Sequence, residues 1–265
     1  TILKSSARNE YMIQRTKRMV RRTVWAIQKQ LKSGEFEPEG VEVVFQGGRI
    51  DRVDTMETDD GKLYVRVIDY KTGNTSFDLV SLYHGLQLQL MIYMDGALTV
   101  EQNKHKDKDV IPAGVFYYNI KDPMIQEKID ADVEAVSAGL MKELKMNGLV
   151  QADPELVYRM DSSLGSIPVA FNKDGSFRKN SSVADRTQFA VLGRYVRTKI
   201  EKIRSSILEG DAEVSPYELG KKNACTYCPY MTVCGFDRRL SGYEFRRLKN
   251  FSDEELWKAF DREAE

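Results

Sequence analysis

Residues 58–61 read Thr-Asp-Asp-Gly, between two segments rich in β-branched and aromatic residues. An Asp-Gly at the centre of so short a connection commits its flanks to an antiparallel hairpin, because the left-handed turn it forms matches the twist of paired strands. The segment after it, "LYVRVIDY" (63–70), is a strong strand. The segment before it, "VEVVFQGGRIDRVD" (41–54), reads as two short strands around Gly47-Gly48. Ser76 or Asp78 then caps a helix expected over 78–98. A charged loop follows, "EQNKHKDKD" (101–109), and then another strand, "AGVFYYNI" (113–120). Residues 5–32 have helical periodicity through Met12, Met19, Ala26/Ile27 and Leu31, stopped by Ser33-Gly34. Helix, three strands, helix, strand predicts an α/β chain with a mixed central sheet flanked by helices.

Beyond this core, at about 35–150, the signals are more scattered. Residues 125–148 read as a helix with an interruption, 150–183 as turn-rich, and 184–209 as a long amphipathic helix ending at Gly210. Ser252 and Glu255 form a capping box that opens a last short helix. With 265 residues, 42% of them hydrophobic, and no linker or repeat, one domain (1–265) is expected, its helical and cysteine-bearing C-terminal part at 184–265. The chain starts at Thr1, and we read it as an excerpt of something longer. No run of about 18 apolar residues occurs, so no membrane partner is expected.

Forty basic residues balance forty acidic ones, so net charge does not advertise a nucleic-acid partner. The distribution is uneven. Thr1–Lys32 carries nine Lys or Arg against Glu10 alone. Arg15, Arg18 and Arg22 on that helix suit phosphates, although a solvated helix face reads the same way.

Side chains two apart on a strand share a face, so Asp69 and Lys71 project together at the end of the "VRVIDYK" strand. Pairing through the Asp-Gly hairpin brings Asp51 near Asp69. Two adjacent carboxylates repel unless a cation lies between them. A hard divalent ion such as Mg²⁺ meets that need, and a nearby ammonium offsets charge on a phosphorane-like transition state. The pattern points to metal-assisted phosphodiester hydrolysis by Asp51, Asp69 and Lys71. A bare Asp-x-Lys at a strand end equally fits a surface salt bridge. Gln89 and Tyr93, spaced i, i+4 on the following helix, can orient Lys71 or a phosphate, or lie as half-buried core polars. Gln87 stands on a neighbouring flank. Glu42 is a weaker candidate acid, and Asp54 should face away from Asp51.

Cys225, Cys228 and Cys234 form C-x2-C-x5-C, the only cysteines in the chain. An odd, clustered set favours a metal or iron–sulfur site over a disulfide framework, with three thiolates one short of the usual four. His84 and His105 are weak substitutes for the fourth. Without metal, the segment is expected to be mobile, or held by packing of Tyr227, Tyr230 and Phe236.

"GGRIDRVD", "VIDYKTG" and "YHGLQLQLMIY" together resemble the motif series of the PD-(D/E)XK nucleases, in their RecB-like branch. "PAGVFYYNIKDP", "DGSFRKNSSVA", "RYVRTKI" and "SPYELGKKNACTYCPYMTVCGFD" resemble more closely the AddB-type B subunits of bacterial ATP-dependent helicase–nucleases. The resemblance implies a restriction-endonuclease-like fold and a cytoplasmic Mg²⁺-dependent DNA exonuclease of double-strand break repair and recombination, partnered by an AddA-like helicase subunit. It implies Asp51 and Asp69 as metal ligands, Lys71 as catalytic lysine, and Gln89 and Tyr93 as the family's Q-x-x-x-Y pair. It also implies a [4Fe–4S] cluster held by Cys225, Cys228, Cys234 and a fourth cysteine far upstream, which this chain lacks; the cluster is therefore expected to be incomplete or absent here. The chain has no phosphate-binding G-x-x-x-x-G-K-[ST] loop, so no ATP hydrolysis is expected of it. The alternatives are an inactive nuclease-fold module that binds DNA or a partner, and another RecB-like iron–sulfur nuclease.

Overall fold

A computed structural model describes residues 6–126 and 132–264. In chain order the elements are α1 (Ala7–Lys32), β1 (Glu37–Phe45), β2 (Gly48–Glu57), β3 (Lys62–Lys71), α2 (Leu79–Tyr83), α3 (Gln89–Lys104), β4 (Asp109–Asn119) and α4 (Val133–Glu143). Next come β5 (Asn147–Gln151), α5 (Pro154–Met160), β6 (Val183–Ala184), α6 (Arg186–Leu208), β7 (Tyr217–Leu219), β8 (Lys222–Asn223), β9 (Arg246–Arg247) and α7 (Asp253–Ala264). They gather into two compact units, residues 1–77 with 89–193, and residues 78–88 with 194–265.

The first unit is built on a six-stranded sheet in the order β1-β2-β3-β4-β5-β6. β1, β2 and β3 run antiparallel, β4 joins β3 in parallel, β5 is antiparallel to β4, and β6 is parallel to β5. This is the mixed sheet expected from the element order. Alternation along β3 assigns its two faces. Ile68 joins a buried cluster with Phe36, Met56, Phe116, Tyr118 and Val150, against which Tyr64 and Tyr70 also pack. The odd residues Leu63, Val65, Val67 and Asp69 point the other way and are buried too. α3 lies against β3 and β4. Its Gly96 admits the Phe45 ring, which a Cβ would meet at 2.4 Å.

The Ile68 face also holds charge. Asp54, 0% exposed, accepts Arg52 Nε at 2.6 Å and Arg66 Nε at 2.8 Å, with both arginines under 5% exposed. The Arg66 guanidinium also lies 4.8 Å from the centre of the Phe36 ring. Asp54 therefore does face away from Asp51, and it serves as the shared counter-ion of two buried cations.

In the second unit, the Tyr83 and Tyr195 rings stack at 5.5 Å, and Phe260 meets both edge-on. β7 lies between β8 and β9 in a small sheet. The capping box opens α7 as expected, with Ser252 N–H donating to Glu255 Oε2 at 3.0 Å and Glu255 N–H reaching Ser252 Oγ at 3.5 Å.

Three expected elements differ from those observed. The helix expected over 78–98 is broken. α2 ends in a Schellman motif at Gly85 (φ 78°), where Leu86 N–H donates to Ser81 O at 2.8 Å and Gly85 N–H to Leu82 O at 2.9 Å. α3 restarts at Gln89 and runs to Lys104, taking the first residues of the expected charged loop. The helix expected over 125–148 is α4 alone, Val133–Glu143, and residues 127–131 lie outside the described residues. Its end gives way to β5, where Gly148 sits so close to β4 that a Cβ would lie 1.8 Å from Val115 O. Finally, the turn-rich segment contains α5, with Asp153 capping and Pro154 in its first turn.

Asp54→Asn should cost about 3–5 kcal/mol, because two buried guanidinium groups lose their shared counter-charge. Urea unfolding checks this; a loss below about 1 kcal/mol, the range of a surface ion pair, would contradict it.

Candidate active site

The β2–β3 register pairs Arg52 with Ile68, so one step further sets Asp51 opposite Asp69. At that step the ladder gives way to a side chain: Tyr70 N–H donates to Asp51 Oδ2 at 2.8 Å. Asp51 is thereby held on the odd-numbered face beside Asp69. Lys71, two residues on, places Nζ 2.6 Å from Asp69 Oδ2.

Lys71 is anchored on its other side. Nζ donates to Gln89 Oε1 at 2.8 Å, and Gln89 Nε2 donates to Tyr93 Oη at 2.8 Å. The first turn of α3 thus supplies an amide and a phenol in one relay, and Phe45 meets the Tyr93 ring edge-on at 5.9 Å. The ring of Tyr117, the β4 residue paired with Asp69, lies 5.5 Å from Lys71 Nζ. The structure brings Asp51, Asp69, Lys71, Gln89 and Tyr93 together as expected, and adds Tyr117.

The electrostatics suit a cation. Burial pushes the Asp69 carboxyl above its ordinary value, with Lys71 opposing and the Asp51 charge adding. Burial, the Asp69 charge and Tyr93 push the Tyr117 phenol up to about 12, so it stays protonated at neutral pH. Asp69 Oδ2 is buried and accepts no well-aligned hydrogen bond; the Lys71 contact is an ion pair only. Two carboxylates side by side, one of them buried, fit a hard divalent ion with oxygen ligands.

The loop after Lys71 is pinned by two asparagines. Thr75 N–H donates to Asn119 Oδ1 at 3.1 Å, and Phe77 N–H to Asn147 Oδ1 at 2.7 Å. Both amides return a hydrogen bond to Thr75 O at 2.9 Å. Sequence reasoning missed both residues. The Asn147-Gly148 turn signal marked one of them.

Other candidates lie elsewhere. Glu42 stands exposed on β1, paired with Arg49 at 2.5 Å. Gln87 Oε1 accepts Asp78 N–H at 3.0 Å. Arg18 bonds Asp122 through Nε at 3.2 Å and Nη2 at 3.1 Å, and Arg22 grips the same carboxylate and Pro123 O. These two arginines clamp the chain after β4, whereas Arg15 is exposed.

Cys225, Cys228 and Cys234 are free thiols at intermediate exposure, and Cys225 is raised by burial and by its two neighbours. Among the described residues, no three His, Cys, Asp or Glu side chains converge to hold a metal ion. As placed, the three cysteines do not form a closed cluster site. Tyr227 and Tyr230 do not pack as expected, being 95% and 67% exposed. Phe236 does, against Tyr243 and Phe245 at 5.7 and 5.1 Å. His84 Nε2 is engaged by Lys249 O at 2.8 Å, and His105 lies 3.8 Å from Glu101. No helix among the described residues is long and apolar enough to cross a membrane.

The profile described as PD-(D/E)XK nuclease superfamily matches residues 2–235. The chain is also similar to proteins named as the B subunit of an ATP-dependent helicase/deoxyribonuclease. That of Lachnoclostridium phytofermentans is 40% identical over 100% of this chain and 24% of its own length. That of Clostridium acetobutylicum is 38% identical over 99% of this chain and 25% of its own length. That of Thermoanaerobacter sp. is 35% identical over the same shares. The chain therefore spans about a quarter of the length of these relatives.

Mg²⁺ should raise the melting temperature, and Asp69→Asn should abolish that rise. An ion held by Asp69 would compete with its proton, so its apparent affinity should be full above the raised pKa and fall roughly tenfold per pH unit below it. The metal-free protein has the opposite dependence: the raised pKa contributes stability present below the ordinary carboxylate range and lost as pH rises through the folded value. Thermal melts across pH, with and without Mg²⁺, check both signs.

Proposed function

The chain belongs to the PD-(D/E)XK nuclease superfamily, and from that premise we propose that it is the Mg²⁺-dependent DNA-cleaving part of the B subunit of a bacterial helicase–nuclease. The observation that carries this reading is the unbroken relay of polar contacts Asp69–Lys71–Gln89–Tyr93 beside Asp51. A surface salt bridge would not bury Asp69, nor recruit a helix to hold its lysine.

Asp51 and Asp69 would hold the ion, which when bound supplies Lewis-acid polarisation of a phosphate oxygen. The remaining work falls to side chains of the chain itself. Gln89 fixes the Lys71 ammonium, while Tyr93 fixes Gln89. The ammonium then orients the attacking water and offsets the negative charge that grows on the phosphorus oxygens. The protonated Tyr117 face and the buried β4 residues keep the back of the site dry, which strengthens each of these interactions. A module that only bound DNA would have no use for a lysine fixed beside a buried carboxylate.

The relatives' names support a partner subunit and a DNA substrate; double-strand break repair, a cytoplasmic setting and an AddA-type identity for that partner enter this proposal through the family resemblance of the sequence alone. Arg15 is the DNA contact we propose on α1; Arg18 and Arg22 would join it only by releasing Asp122. The [4Fe–4S] cluster we assign to a longer protein that supplies a fourth ligand.

Lys71→Ala should reduce single-turnover cleavage of single-stranded DNA by at least about a hundredfold, the scale of losing one preorganised charge at a transition state. Its far-ultraviolet circular dichroism should stay unchanged. Parental rates in Mg²⁺ would remove Lys71 from the mechanism. The purified chain should also lack stoichiometric iron; a brown preparation absorbing near roughly 400 nm, with about four irons per chain, would demand a fourth ligand within these residues.

A further inference from the structure

α1 and α4 both end in lysines. Lys29 and Lys32 occupy the last turn of α1, and Lys142 the last turn of α4. Lys145 follows between the buried residues Leu144 and Met146. Each lysine taken singly complements the dipole of a helix C-terminus. Together they line one hollow of about 670 Å³, whose wall holds a single carboxylate, Glu134. Met141 and Leu164 form part of its apolar lining.

A second stretch of α1 shows how this chain treats cations that it intends to neutralise. Arg18 and Arg22 share Asp122, with two guanidinium groups on one nearly buried acid. Among the described residues, the four lysines have no such acid at their centre. Lys145 is the telling member. Burial pulls its ammonium below its ordinary value, and its hydrogen bond is a long one, 3.4 Å to Leu164 O. Asp161, the acid that acts on it, already accepts Ser163 and Ser166 donors at both oxygens. Lys145 is thus a half-buried ammonium that lacks an acceptor of full charge. An anion in the hollow would supply one.

We propose that this hollow binds a nucleotide phosphate, as a second and non-catalytic phosphate site. Its volume lies within the range of small-ligand pockets, about 300–1,000 Å³. Lysines serve phosphate as point charges, and the Met141–Leu164 wall gives a base or sugar an apolar surface. Met141 and Leu164 pack on the cluster around Ile68, so the hollow belongs to the sheet face opposite Asp69 and Lys71. The ligand's phosphate could belong to a DNA strand or to a free nucleotide, the kind of product that strand cleavage releases. Choosing nucleotides over other phosphates rests on the nuclease reading; an anion site in the hollow does not.

The test uses the full chain in a Lys71→Ala background, so that no strand is cut. Probes are a long oligothymidylate strand and thymidine 5′-monophosphate, measured by fluorescence anisotropy and calorimetry. Lys32→Glu with Lys142→Glu changes two exposed positions. It should weaken strand binding at least about tenfold and reduce the log–log salt slope by about 1.4, two phosphate contacts at about 0.7 each. Lys145→Gln should act in the same direction, and it decides the matter if the double variant folds poorly. Loss confined to the strand identifies a phosphodiester ligand, and loss of monophosphate binding identifies a free nucleotide. Unchanged affinity and slope for both probes would overturn the proposal. With Lys71 restored, the double variant should raise KM and leave kcat unchanged. A chain that binds through the hollow yet never cuts DNA would sink the nuclease reading and leave this one standing.

Discussion

The register of β2 against β3 is the constraint on which both faces of the sheet depend. It sets Asp54 opposite Arg66 on one face and, one further turn of the pleat away, Asp51 beside Asp69 on the other. A slip of one residue would exchange the faces. With β2 slipped in this way, Asp51 would enter the apolar cluster around Ile68, and Arg66 would lose the Asp54 carboxylate. The buried Arg52–Asp54–Arg66 group therefore acts as a registry device. It contributes little net stability as an ion pair, because desolvation consumes most of the Coulombic gain. Its effect is to make every other register far worse.

That constraint explains why the candidate site groups could be read from the sequence. Asp51, Asp69 and Lys71 sit on two strands joined by one short hairpin, so strand periodicity and the Asp-Gly turn suffice to bring them together. Gln89 and Tyr93 needed only helical spacing. The legible part of the site is its local part. Tyr117 and Asn119 reach the site through the parallel β3–β4 pairing, and no turn connects those strands directly. Asn147 arrives on β5, from a segment whose helical pattern masked a strand. These three hold the lysine and its loop from behind, and of them only Asn147, followed by Gly148, carries a short-range signal in the sequence.

The errors in secondary structure have the same origin. Gly85 lies within an apolar run that reads as continuous helix, yet it is the residue that takes a positive φ and ends α2. Asn147-Gly148 is a turn signal at the end of a segment read as helix, and Asp153-Pro154 is a cap signal inside a segment read as turn-rich. Periodicity thus set the type of α2 and α3 well and the boundary between them poorly, and it missed β5 and α5, which are too short to show a period.

The charge on α1 shows a further limit of composition. Arg18, Arg22, Lys29 and Lys32 fall on one stripe of the helix, since eleven residues at about 100° each return to within about 20° of the start. Along that one stripe the chain does two different things. Near its middle, two guanidinium groups close on Asp122 and fasten the segment after β4. At its end, two ammonium groups face those of Lys142 and Lys145 across a hollow. Guanidinium forks suit the first task, because they hold a carboxylate in fixed geometry, and ammonium groups suit the second, because they meet a phosphate from any direction. The choice of Arg or Lys along the stripe thus tracks whether the partner is part of the chain or has to arrive from outside it. Neither the net charge of zero nor the excess of basic residues in α1 contains that distinction, which appears only once α4 lies beside it.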